Sequence, residues 1–318
     1  MAKVDAVTKA NIADINGLTV PSGFTGLLDE TYGSGAAAAY SVRRLASATT
    51  VLLRVRRDTA GGTGDDDEAD VAYDSNNELS LDSAISNAST GVTATTLGQF
   101  INVGTVGGTT YTNPDSLTVT ASCFVDEWKD QSGNTNHASQ STQASQPEIH
   151  SGTVNTDLIT DNGKPALDFG QLELTTLIDS QLYSYFMVNA LGNALRTLFL
   201  RRSGVSTYLR ADSSNKYVIV TSTDFDSLSG STFDGTQALN TLIASSSTTV
   251  TSFQNGSQTG TISSLGGGNM QFDLMERNMT VPTTNELLTQ EMIFYTSDVG
   301  SSNRTGIETD INGYYSIY

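Results

Sequence analysis

The sequence predicts an all-β protein: a two-sheet antiparallel β-sandwich (a jelly roll) with a short N-terminal arm and a short C-terminal helix. Three observations lead there. Short apolar stretches of alternating polarity recur roughly every ten residues through the second half, with turn residues between them. Ser and Thr together make up about a quarter of the chain, while Gly numbers 29 and Pro only 5, a composition suited to many strands joined by turns. The length, 318 residues, allows one large all-β domain or two ordinary ones. The chain divides into an arm, residues 1–34, and a sandwich domain, residues 35–318.

The arm is too short and polar to build a core of its own. Within it, Val4-Asp5-Ala6-Val7-Thr8 is echoed by Ile15-Asn16-Gly17-Leu18-Thr19. The echo marks Val4, Val7, Ile15 and Leu18 as the residues expected to bury against partner chains. Ala36 to Leu45 reads as a short helix. Val51 to Arg57 alternates at its end and reads as a strand. Gly61 to Asp74, rich in Gly and acids, reads as a loop, and Asp74 to Phe100 carries weak helical signals. Ser122 to Trp128 is strand-like and enters the turn Asp130-Gln131-Ser132-Gly133-Asn134. Ala166 to Phe169 is a short strand. Then follow Tyr183–Asn189, Thr197–Leu200, Thr207–Arg210, Tyr217–Val220, Thr241–Ala244 and Thr248–Phe253. Asn255-Gly256 is a two-residue hairpin signal. Met270–Leu274 and Glu291–Tyr295 complete the strands, and Ile307, Ile311, Tyr314 and Tyr315 lie at helical spacing after them.

Charge excludes several partners. Lys+Arg number 16 against 34 Asp+Glu, a net charge of −18. A nucleic-acid groove or an anionic membrane surface needs clustered positive charge. No apolar window is long enough to span a bilayer, and Met1 to Val20 lacks the apolar region of a secretory signal. One cysteine, Cys123, excludes an intrachain disulfide and a cysteine zinc site, and two histidines exclude a histidine-rich metal centre. No phosphate loop, dinucleotide fingerprint or Gly-x-Ser-x-Gly elbow is present, so no cofactor is expected. The five arginines from Arg43 to Arg57, opposite the acidic stretch, read as an internal or intersubunit charge match.

Three segments occur in a characteristic order: Ala39-Tyr40-Ser41-Val42-Arg43-Arg44-Leu45, Leu53-Arg54-Val55-Arg56-Arg57, and Trp128-Lys129-Asp130-Gln131-Ser132-Gly133-Asn134-Thr135-Asn136-His137-Ala138. They resemble the catalytic domain of arabinofuranosidase B-type glycosidases, with Lys129 where a Tyr usually precedes Asp-Gln-Ser-Gly. Phe253-Gln254-Asn255-Gly256, Gln290 to Tyr295 and a terminal helix resemble laminin-G-like domains of the concanavalin A-like superfamily. Ala10-Asn11-Ile12-Ala13-Asp14-Ile15-Asn16-Gly17-Leu18 is similar to arms that open many bacteriophage virion proteins. The resemblance implies a concanavalin A-like sandwich placed in a virion. It puts no nucleophile or general acid on a matching motif of this chain.

The candidate residues follow from chemistry. Retaining glycosidases use two carboxylates about 5–5.5 Å apart, and Asp126, Glu127 and Asp130 flank the only Trp. On a regular strand Asp126 and Trp128 share one face and Glu127 takes the other. The alternative places Trp128 in the core, with Asp130 holding the turn. A carbohydrate face is expected at Trp128, Asn134, Asn136 and His137, one ring among polar groups in or beside a turn. Asp65, Asp66, Asp67 and Asp70 are the weak candidates for a hard cation, without the spacing of a calcium loop. The leading reading is a non-enzymatic virion protein: a capsid decoration, head fibre or tail component. It is held to other virion proteins by its arm, is homo-oligomeric, and touches host-surface glycans. The alternative is a glycoside hydrolase acting on polysaccharide, and a third reading is a plain structural protein with no ligand.

Overall fold

The computed structural model describes residues 14–15, 18–19, 23–58, 67–89, 92, 94–102, 105–106, 109–110, 122–152, 158–191, 198–204, 207–211, 216–220, 225–227, 235–266, 268–276 and 287–318. Its main strands are β1 (Ala38–Ser41), β2 (Leu53–Asp58), β3 (Asp67–Val71), β4 (Ser122–Trp128), β5 (Gln171–Ser180), β6 (Tyr183–Leu191), β7 (Ala238–Ala244), β8 (Val250–Gln254), β9 (Ser257–Ile262), β10 (Met270–Glu276) and β11 (Leu287–Tyr295). Among the described residues two α-helices, α1 (Leu97–Asn102) and α2 (Gly300–Tyr315), accompany them.

One sheet runs β9-β8-β7-β6-β11-β1, every pair antiparallel. The other begins β3-β2-β4, passes through the short strand Ala138–Ser139 to β5 and β10, and continues into Leu198–Arg201, Tyr208–Ala211 and Tyr217–Val220. Alternation sends one side chain in two to the space between the sheets. There Tyr40, Leu53, Val55, Val125, Trp128, Tyr185, Met187, Phe272, Met292 and Phe294 form the main core. The intervening residues of β6, β7 and β11, including Phe186, Val188, Leu239, Ile293 and Tyr295, face outward and are covered by Ile307, Ile311 and Tyr315 of α2. The result is sheet on sheet with a helix on one outer face, the all-β sandwich with a C-terminal helix that the strand spacing predicts.

Two expectations are corrected. Ala36 to Leu45 is not helical: Ala38–Ser41 is a strand, paired with Glu291 to Phe294. The alanine run favours helix, but full burial on both faces of a sheet outweighs that small preference. The acidic loop ends earlier than expected, because Asp67–Val71 is a strand. Its acids face β2 as a ladder of pairs: Arg57 with Asp67, Arg56 with Glu68 at 2.8 Å, and Arg54 with Asp70 at 2.9 Å. The arginine and acid stretches are thus an internal match. Residues 27–34 pack against the sandwich: Leu27 is buried with Ala39, Leu45 and Ile307, and Tyr295 Oη donates to the Gly33 carbonyl at 2.6 Å. Asp65, Asp66, Val4 and Val7 lie outside the described residues. Asp14–Ile15 pairs antiparallel with Leu18–Thr19, placing Ile15 opposite Leu18.

Candidate functional site

The segment from Trp128 to Ala138 forms a corner where β4 leaves the sheet. Trp128 is fully buried, its ring 5.7 Å from Tyr40 and 6.2 Å from Phe169, and Nε1 donates to the Ser41 carbonyl. The expected sugar-stacking ring is therefore core and has no open face. Asp130 accepts from the amides of Ala39, Ser132 and Asn136 and from the Ser132 hydroxyl, all at 2.9 Å. Gln131 donates its backbone N–H to the Ala39 carbonyl, and its side-chain Nε2 to the Ser41 and Arg43 carbonyls. Its Oε1 accepts from the Leu45 amide at 2.7 Å. Asn134 Nδ2 donates to the carbonyls of Ala36 and Ala37. Strand β1 has β11 on one side, and on the other the side chains of the corner stand in for a strand. The corner thus answers the polar backbone of a sheet edge.

Asn136 is buried as well and ties the corner to β5, accepting from Thr176 N at 2.6 Å and donating to Thr176 O at 2.9 Å. Gly133 has φ +87°, and Thr135 holds the left-handed region at φ +56°, costly for a β-branched residue. Of the four expected carbohydrate-binding residues, Trp128, Asn134 and Asn136 are spent on structure. Asn134 is nonetheless exposed, and His137 is half-buried beside open space.

That space is a cavity of about 320 Å³ beside the corner, lined by Ala48, Thr49, Thr50, Val51, Asp70, Lys129, Asp130, Gln131, Gly133 and His137. His137 Nδ1 accepts from the Asp130 amide at 3.0 Å, which leaves Nε2 to carry the proton of the neutral ring. Thr49 is 8% exposed, and its Oγ1 has no hydrogen-bond partner among the described residues. A buried hydroxyl left this way calls for a water or a ligand group. Lys129 pairs with Glu127. Burial opposes ionisation of Asp70, but hydrogen bonds from Arg54 and Asn87 outweigh it and hold the carboxyl below its ordinary value. Sequence reasoning singled out Lys129 only as a departure from the family pattern and missed Thr49 and Thr50, which carry no motif.

The acids of β4 sit on the outer face of the same sheet. The pairing of β4 with β2 shifts register between Arg54 and Val55, so that Glu127 opposes Arg54 and Val125 opposes Val55. Asp126 is the extra residue of a β-bulge. This corrects the regular-strand expectation: Val125 and Trp128 both point inward, and Asp126 does not share the Trp128 face. Arg56 holds Glu68 at 2.8 Å and Asp126 at 3.5 Å through one nitrogen. Burial first, and then the charge of Glu68, raise the Asp126 carboxyl above its ordinary value. Gln146 donates to Asp126 Oδ1 at 3.0 Å, while its own Oε1 is buried without a partner among the described residues. Asp67 and Asp70 are each engaged by an arginine. No group of three or more His, Cys, Asp or Glu among the described residues is placed to hold a metal ion.

No protein-family model matches the sequence. No curated protein sequence matches it either. Solved structures share its fold. An arabinofuranosidase complexed with arabinofuranosyl-α-1,2-xylobiose superposes with a TM-score of 0.54 at 11% identity, covering 87% of this chain and 62% of that one. A family 54 α-L-arabinofuranosidase soaked with a cyclic sulfate inhibitor gives 0.53 at 12% identity, with the same coverage. A botulinum neurotoxin serotype D binding domain gives 0.40 at 10% identity, over 59% of this chain and 48% of that one. This chain spans 62% of the length of the arabinofuranosidases it superposes on. The chain has the sandwich fold of their aligned region.

Proposed function

We propose that the chain is a non-catalytic carbohydrate-binding sandwich carried on a virion, attached through its N-terminal arm. The cavity beside the corner carries the binding part of this reading. It is concave, and its lining brings together the polar side chains of Thr50, Lys129 and His137. Such sites read sugar hydroxyls by convergent donors and acceptors on a fixed scaffold. The likeness of residues 10–18 to phage arms supports the placement, and many copies on one particle would add avidity to a weak site. A glycan array probed with the purified chain, followed by His137→Ala and Lys129→Ala, tests it. Binding that both variants weaken at unchanged thermal stability is the expected result. An empty array, or variants that bind normally, overturns it.

One observation favours a second reading, glycoside hydrolysis. Glu68 and Asp126 meet one Arg56 nitrogen at 2.8 and 3.5 Å, so those two oxygens lie no more than about 6.3 Å apart, a limit that admits the ~5–5.5 Å pair of a retaining glycosidase, and the Asp126 carboxyl is raised. Turnover of arabinoside or polysaccharide substrates that disappears in Asp126→Asn would replace the first reading with this one.

A further inference from the structure

Thr49 and Gln146 each leave a buried side-chain oxygen unpartnered among the described residues, Thr49 at the corner cavity and Gln146 against Asp126. Between them the outer face of β3-β2-β4 presents two cross-strand rows. Asp70, Arg54 and Glu127 lie opposite one another in the row nearer the cavity. Glu68 and Arg56, with the bulged Asp126, form the next. From the cavity wall at Val51 the chain enters β2, along which Arg54 and Arg56 follow in order. At about 3.3 Å per residue, Val51 to Arg56 spans on the order of 16 Å, longer than a single sugar ring.

The charges of this strip are nearly balanced, with acids in slight excess. Arg56 is held by Glu68 and Asp126, Arg54 by Asp70, and Lys129 by Glu127. An acidic ligand would have to displace these partners and meet a chain of net charge −18. A neutral hydroxyl array can instead donate to carboxylate lone pairs of Glu68, Asp126 and Glu127 without displacing their cationic partners.

We infer that the corner cavity is one end of an extended site, and that its ligand is a neutral oligosaccharide lying along the outer face of β2 and β4 as far as Asp126 and Gln146. This rests on the carbohydrate-binding reading of the cavity. It adds that recognition needs more than one sugar unit, and that Glu68 and Asp126 form the second subsite.

The test is calorimetric titration of the full chain with neutral gluco-, xylo-, arabino- and N-acetylchito-oligosaccharides of one, two and four units, with oligogalacturonate as the acidic member. In at least one neutral series the four-unit sugar is expected to bind ten or more times tighter than the single unit. Asp126→Asn and Glu68→Gln, each checked for an unchanged melting temperature, should pull that ratio toward one. A ratio near one in the unaltered protein, a ratio that both variants preserve, or tighter binding of oligogalacturonate overturns the extended site. Failure of every sugar to bind overturns the cavity reading itself.

Discussion

Asp130 Oδ1 accepts the amide of Ala39 at 2.9 Å across 91 residues of sequence, so a side chain supplies what a neighbouring strand would give to β1. The same carboxylate also receives Ser132 and Asn136, and no acceptor is left over for chemistry. Replacing one of its oxygens by an NH₂ sets donor against donor in a buried place. We expect Asp130→Asn to cost about 2–4 kcal/mol in urea unfolding. A loss under about 0.5 kcal/mol would show that the corner does not hold the edge.

Trp128 serves packing. Trp128→Ala should cost about 3–5 kcal/mol, and Trp128→Phe considerably less. In the Phe variant, sugar affinity should match that of the unaltered protein. A fall in affinity with the fold intact would return the indole to the binding face.

Thr135 occupies a left-handed conformation on the exposed tip of the corner. Asn tolerates that region better than a β-branched residue does. Thr135→Asn is expected to raise stability by about 1 kcal/mol, read as a higher denaturation midpoint at unchanged slope. A lower midpoint would argue that the Thr side chain makes a contact worth more than the strain.

Stability should depend on pH with opposite signs at two carboxyls. Asp70 is held below its unfolded value, so its contribution is present at neutral pH and is lost as pH falls through its folded value. The melting-temperature deficit of Asp70→Asn should therefore be largest near pH 7 and close in acid, below a pH of about 4. Asp126 is raised, so its ionisation opposes folding, and protonation relieves this as pH falls through the raised value. Melting curves of Asp70→Asn that run parallel to those of the parent at every pH would refute the assignment of Asp70.

The arm divides by packing. Deleting residues 1–22 should leave the melting temperature unchanged and abolish incorporation into particles. Deleting residues 1–34 removes Leu27 from the core beneath α2 and should cost about 2–5 kcal/mol. Normal incorporation of the shorter deletion would end the docking proposal. Equal stability of the two deletions would end the division.

Much of the fold was legible because alternation is a local signal. Ser122–Trp128 and Tyr217–Val220 are strands with the ends that their patterns give, and Ile307, Ile311 and Tyr315 mark the buried stripe of α2. Ala38–Ser41 was not legible, because its partner is β11 at the far end of the chain. The site was less readable than the fold. The Asp130–Asn134 segment stands out in sequence because the side chains of Asp130, Gln131 and Asn134 must meet a strand edge, a structural demand. The cavity draws on Thr49, Asp70 and Lys129, which come together only when β2, β3 and β4 align. The bulge at Asp126 leaves no local mark, so a period-two reading puts that carboxylate on the wrong face.

The pairing of β1 with β11 also governs when this protein can fold. Ala38 to Ser41 must wait for Glu291 to Phe294, and β6 likewise borders β11 along most of its length. During synthesis, a chain that has emerged as far as α1 holds an apolar segment with neither its sheet neighbour nor the corner that guards its other side. Such non-local closure carries a large loop entropy before any reward, and topologies of this kind fold in milliseconds to seconds. Commitment to the native state is therefore expected only after release of the last strand, and every nascent intermediate exposes an adhesive alanine-rich edge. A cell making many copies at once would need either a chaperone or prompt capture into an assembly to keep those edges apart.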